Sequence, residues 1–347
     1  MKNNNDISYI NVLNVLSALA VVFLHVNNCF WNYQGGADLS WWKSANVIES
    51  LFYFAVPVFF MITGATLLDF YSKYGIREYV IKRVNKTFIP YVVWSVIGLL
   101  INVYILELIP INDIGIRFII KGLIENSFVG VYWFFTALFC VYFCIPLLAA
   151  VNQKQKITIY TFTLVLAGIV NIIIPFIFNV FSLDIKWNYQ VLVSSGYLFY
   201  ILVGYVISKI DFELRTRILL YGISIIGLLL HILGTYYLSK NTNMIIQVYK
   251  GYNNLPCVLY SVGVFVFIKS VSSRFSDKVL SVFRFLSKYT FGVYLIHIFI
   301  IRGFEKLFMI DTTNIYYRLA FPPVVFAVAV FFCYILKKIP FIKRIVP

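Results

Sequence analysis

The chain has 347 residues, 61% hydrophobic and only 12% charged, with a formal net charge of +15. A soluble domain carries about a quarter charged residues, so that class is excluded. Apolar runs of about 20 residues, the length that crosses a bilayer as a helix, recur throughout and are too uniform for the alternating strands of a barrel. The expected fold is an all-α integral membrane protein of about ten transmembrane helices, a single domain over residues 1–347.

In chain order, Met1 to Tyr9 carry one Lys and one Asp and lead into the first apolar run without a small-residue cleavage site. That predicts a retained helix, not a signal peptide. Spans are predicted near 10–31, 46–69, 87–108, 131–150, 157–181, 191–208, 217–238, 254–270, 289–304 and 318–336. Between the eighth and ninth, residues 275–288 set Phe275, Val279, Val282, Phe283 and Leu286 among Lys and Arg, as in a helix lying on the membrane surface. With the N-terminus in the cytoplasm, that side holds 20 of the 29 Lys and Arg, and both termini are cytoplasmic. Lys43, Arg117, Lys121, Lys186, Lys240, Lys250, Arg302, Lys306 and Arg318 fall on the outer side. Topology and anionic lipid account for the positive excess, and nucleic acid is not needed as a partner. The outer connections 32–45, 109–130, 239–253 and 305–317 are rich in Asn, Tyr, Trp and Gly, which suits sugars or headgroups and equally an interfacial aromatic belt. The five cysteines (Cys29, Cys140, Cys144, Cys257, Cys333) lack metal-ligand spacing and read as small buried hydrophobes, so no metal is predicted.

Polar side chains within spans are costly and mark function. Asn11, Asn14, Ser17, His25, Asn28 and Asn32 form one stripe on the first span, with Asn14 and His25 pointing within about 20° of each other and roughly 16 Å apart along the axis. Such a stripe lines a cavity or a helix interface. His25 is the candidate general base, and Glu49, at similar depth in the second span, is placed to orient or charge-couple its imidazole, or else to sit in interfacial water. His297 follows Tyr294 in the ninth span, and His231 reads as a satisfied interior histidine. Lys82, Arg83 and Lys86 precede Pro90 at the cytoplasmic mouth of the third span. Arg83 and Lys86, at i and i+3, share a helix face and suit phosphate, although positive-inside charge explains them as well.

Several stretches together resemble the acyltransferase-3 family of integral membrane acyltransferases over essentially the full chain. NVLNVLSALAVVFLH at 11–25 is similar to the family's first helix with its closing histidine, VPVFFMITG at 56–64 to its second-helix segment, and Arg83 and Lys86 before Pro90 and Tyr91 to its third-helix basic pair. Trp133–Phe135, Tyr200–Gly204 and Tyr294–His297 resemble later stretches, and the region after His25 looks nearest the branch that O-acetylates surface polysaccharides such as enterobacterial common antigen. The family usually has an arginine where Asn14 stands, and a histidine is common where Tyr132 stands.

The resemblance implies an acyl-CoA-dependent O-acyltransferase of the bacterial plasma membrane, moving an acyl group, most often acetyl from acetyl-CoA, to a hydroxyl of a cell-surface or lipid-linked glycan. On that expectation His25 and Glu49 are catalytic. Arg83, Lys86, Lys82 and Asn14 bind the donor, and Trp133, Tyr294, His297 and Asn28 contact the acceptor. Two other classes stay open. A polysaccharide or lipid exporter would line a permeation path with the same stripe, but would carry an internal repeat with broken helices, which is not seen. A membrane scaffold would need no donor site at all.

Overall fold

The computed structural model describes residues 5–35, 39–340 and 342–346. Lys2 and residues 36–38 of the first outer connection lie outside the described residues. The described chain is all-helical: α1 (Asn5–Val26), α2 (Leu39–Phe52), α3 (Ala55–Leu67), α4 (Ile76–Arg83), α5 (Ile89–Tyr104), α6 (Ile116–Glu125), α7 (Trp133–Ala149) and α8 (Lys156–Ala167). There follow α9 (Ile174–Val180), α10 (Tyr197–Lys209), α11 (Leu214–Ser239), α12 (Leu255–Ser272), α13 (Asp277–Ser287), α14 (Thr290–Phe308) and α15 (Ile315–Lys338). Among the described residues eight helices are long and apolar enough to cross a membrane, α2–α3, α4–α5 and α8–α9 each counting as one. The two remaining predicted spans differ for physical reasons. The 13-residue α10 is shorter than the bilayer core, and α14 carries Arg302, Glu305 and Lys306 in its last turns.

Prolines explain the interruptions. A proline cannot donate to the carbonyl four residues back and its ring crowds that carbonyl. Pro57 answers to Tyr53, and the helix breaks at Tyr53–Phe54 between α2 and α3. Pro90 and Pro175 answer to Lys86 and Asn171, and in both places the helix widens just upstream into a π turn, Val84–Phe88 and Gly168–Ile173. The amphipathic helix predicted at 275–288 forms as α13, capped where Ser276 Oγ accepts from Val279 N, and it packs against α1. A further helix arises where only a connection was predicted. In α6, Ile116, Ile120 and Ile124 recur at i, i+4, i+8 on an exposed face.

α1 lies at the centre, against α2, α3, α12, α13, α14 and α15. Hydrocarbon supplies no hydrophobic drive between helices, so close backbone approach matters. α3 and α10 achieve it with two glycines: a Cβ on Gly64 would stand 1.9 Å from the Ile201 carbonyl oxygen, and one on Gly204 would stand 2.0 Å from that of Met61. Gly64→Ala and Gly204→Ala should each force the helices apart and cost about 2 kcal/mol or more. The expected readout is a lower unfolding temperature of the detergent-solubilised protein, and wild-type stability in both variants would refute this packing.

Candidate active site

The first-helix stripe distributes itself along the bundle axis. The end carrying the basic excess is called the inner end below. Near it, Asn11 Oδ1 accepts from Ser287 Oγ of α13 at 2.9 Å, and Asn14 lines an inner cavity of about 270 Å³. Ser17 is buried with an unpartnered hydroxyl. Beyond it, His25 and Asn28 line both an outer cavity of about 280 Å³ and a wider vestibule of about 490 Å³.

The ring beside His25 belongs to His297, with centroids 5.1 Å apart and planes tilted by 34°. His297 Nδ1 lies 3.0 Å from the Val293 carbonyl, so it carries the proton, and Nε2 is left as a buried acceptor without a partner. Arg302 and Glu305 face the vestibule, where Arg302 is within electrostatic reach of His25.

Glu49 lines the outer cavity with His25, but its carboxylate is held by other groups than the imidazole that sequence reasoning offered it. Asn27 Nδ2 donates to Glu49 Oε2 at 3.2 Å, and Trp31 lines the same cavity. Asn27 Oδ1 in turn accepts from Arg318 at 3.2 Å, and Arg318 reaches on to Ser44 Oγ and the Thr313 carbonyl. Arg318 and Lys250, assigned to the outer surface by charge counting, are fully buried. Lys250 sits over the rings of Phe30, Trp31 and Tyr53, with Nζ 3.5 Å from His231 Nε2. Burial pushes its ammonium below the ordinary lysine range, while the Glu49 carboxylate pulls the other way.

An aromatic wall completes the outer cavity. Trp133 stacks on Tyr252 at 5.7 Å, and Tyr252 on Tyr53 at 4.3 Å. Tyr294 donates to the Val131 carbonyl, and Tyr132 donates to that of Leu295 at 2.7 Å, so the start of α7 and the middle of α14 are reciprocally clasped. Phe134 and Tyr294 line the outer and the inner cavity alike and form the partition between them.

At the inner end the predicted basic group is divided. Lys86 lines the inner cavity with Asn14, Thr63, Thr87 and Thr290. Arg83 turns to the other side of Tyr142, into a lateral furrow between α4 and α7, where it lies 5.7 Å from the Tyr79 ring and 5.4 Å from that of Tyr142. The π turn between them advances the chain by less than 100° per residue, so the shared i, i+3 face expected of an α-helix is lost. Lys82 pairs with Glu78 at 2.7 Å and lies over Tyr74, away from the inner cavity.

Sequence reading missed Asn27, Tyr53, Lys250, Tyr252, Phe134 and Arg318. Asn27 and Arg318 carried a signal, as polar groups at the edges of spans. The others are aromatic or loop residues of ordinary appearance.

A family model described as an acyltransferase domain matches residues 7–338. No curated protein and no solved structure matches the chain.

Arg318→Met should leave Asn27 Oδ1, Ser44 Oγ and the Thr313 carbonyl without their buried donor, costing roughly 2–4 kcal/mol. Thermal unfolding in detergent checks this, and an unchanged midpoint would remove Arg318 from the scaffold of the site.

Proposed function

The chain belongs to the acyltransferase-3 family, and on that premise we propose that it transfers an acetyl group from cytoplasmic acetyl-CoA to a hydroxyl of a cell-surface glycan or its lipid-linked precursor, in the bacterial plasma membrane. As a family member it is a multi-pass membrane acyltransferase. The observation that carries the finer reading is the pair of cavities meeting at Phe134 and Tyr294, with Lys86 and Asn14 on the inner side and His25 on the outer.

Coenzyme A is a polyanion with a thin pantetheine arm. Lys86, with Arg83 across Tyr142, supplies positive charge where the phosphates would rest, and Asn14, Thr63 and Thr290 offer hydrogen bonds along the arm. Asn14 contributes no fixed charge where the family usually has arginine, so donor charge falls on Lys86 and Arg83. The aromatic wall of Trp133, Tyr252 and Tyr53 suits the apolar face of a pyranose, and Asn28 and Glu49 suit its hydroxyls.

His25 acts as general base. Its imidazole takes the proton of the acceptor hydroxyl as that oxygen attacks the thioester carbonyl carbon. The C–O bond forms, the C–S bond breaks, and the proton passes to the departing coenzyme A thiolate. Direct transfer is preferred over an acyl-histidine because His25 opens onto both acceptor-side spaces and is absent from the inner cavity lining. His297, with its Nδ1 proton donated to the Val293 carbonyl, presents its Nε2 lone pair beside His25.

Acyl transfer from radiolabelled acetyl-CoA by protein in lipid nanodiscs tests the reading. His25→Ala should lower turnover about 10²- to 10⁴-fold, and full activity would sink the mechanism. The Arg83→Ala/Lys86→Ala pair should instead raise the KM for acetyl-CoA by about 10- to 100-fold, some 1.4–2.8 kcal/mol, and an unchanged KM would take the donor away from these residues.

A further inference from the structure

The vestibule opens from the same histidine as the outer cavity. It measures about 490 Å³ against about 280 Å³, and the two share His25, Asn28, Val131 and Trp133. Small-molecule sites span about 300–1,000 Å³, so the cavity alone lies at the floor of that range and the vestibule well within it. A glycan is a chain of sugars, and a second space beside the reacting hydroxyl has room for a neighbouring unit or its substituent.

Helical period sets the chemistry of this space. Ile298, Ile301, Arg302 and Glu305, at i, i+3, i+4 and i+7, bring one face of α14 to it. The helix that sets the His297 ring beside His25 therefore also presents Arg302. Among the described residues that line the vestibule, Arg302 and Glu305 carry the charge. Glu305 has a partner, since its Oε1 accepts from Tyr317 of α15 at 2.9 Å. Arg302 makes no ion pair and no hydrogen bond among the described residues.

An arginine near the end of a membrane helix can simply reach for the interface. Lys306, one turn further on, has its ammonium occupied in another way, donating to the Ile105 carbonyl at 3.1 Å. Arg302 instead stands at a polar space that Asn28, Asn32 and Thr312 also line and that the candidate base shares. A planar fork of donors with nothing to hold matches the oxygens of a carboxylate or phosphate.

We propose that the vestibule is a second acceptor subsite in which Arg302 binds an oxyanion, the carboxylate of an acidic sugar or the phosphate of a lipid-linked glycan. The acceptor is then an anionic glycan: one ring lies in the outer cavity with its hydroxyl at His25, and the charge lies in the vestibule beside it. The inference rests on the acyltransferase reading with an outer acceptor.

The test titrates a glycolipid extract of the membranes that naturally contain the protein against fixed radiolabelled acetyl-CoA, with wild type, Arg302→Gln and Lys306→Gln in nanodiscs. Arg302→Gln should raise the half-saturating extract concentration about 10-fold, the scale of a charge-assisted hydrogen bond made by an exposed side chain, with the KM for acetyl-CoA unchanged. Lys306→Gln removes the same charge one turn away and should match wild type. Carbodiimide activation and borohydride reduction of the extract, which turn carboxylates into alcohols, then identify the anion. If wild type loses about 10-fold on the reduced extract and no longer differs from Arg302→Gln, the sugar carboxylate is the ligand. If the difference between them survives reduction, the phosphate is. Arg302→Gln with wild-type half-saturation, or equal losses in Arg302→Gln and Lys306→Gln, would overturn the proposal. Transfer of no label by wild type would instead overturn the acyltransferase reading on which it rests.

Discussion

The buried hydrogen bond from Asn27, just past the end of α1, to Glu49 of α2 joins the two helices, and much of the outer half hangs on it. In that setting a polar group without a partner costs several kcal/mol, so each residue in the chain recruits the next. Arg318 anchors Asn27 from α15, and Ser44 and the Thr313 carbonyl anchor Arg318. Behind the cavity wall Lys250 lies over the Trp31 and Tyr53 rings and meets His231 of α11. Four helices and a connecting segment are thereby held around one small space. Such a network is also the device by which a protein keeps a cavity open in hydrocarbon: polar groups in its wall forbid collapse onto apolar neighbours.

The same logic shapes the histidine pair. His25 rests against His297, whose protonated nitrogen is committed to the backbone of its own helix. A general base needs a free lone pair, and the fixed tautomer of His297 leaves the His25 ring beside a lone-pair acceptor and not beside a competing donor. The clasp of Tyr132 and Tyr294 keeps α7 and α14 in register, which fixes Phe134 and Tyr294 where the two cavities meet.

Prolines set the geometry of the inner side. Pro90 demands relief from the carbonyl of Lys86, the helix answers with a π turn, and that turn separates Arg83 from Lys86 around Tyr142. Two cations that an uninterrupted helix would place together are thus presented to different faces of one ring.

By itself the sequence determined the class of fold, the positions of most spans, the amphipathic helix α13 and the polar stripe of the first span, because these follow from local hydropathy and a helical period that tertiary contacts do not alter. It also marked His25, Asn14 and Asn28 as residues facing the interior of the bundle, since polar groups on a membrane helix have few other places to go. Tertiary structure alone decided the partners. Lys250 and Arg318 look like ordinary outer charges until the fold buries them. Glu49 and His25 line one cavity, yet Asn27 takes the carboxylate and His297 lies beside the imidazole. Tyr53 and Tyr252 become one stacked wall only when residues about 200 positions apart are brought together by packing. Spacing along a chain reports which face of a helix a side chain occupies, and only the arrangement of the other helices fixes what it meets there.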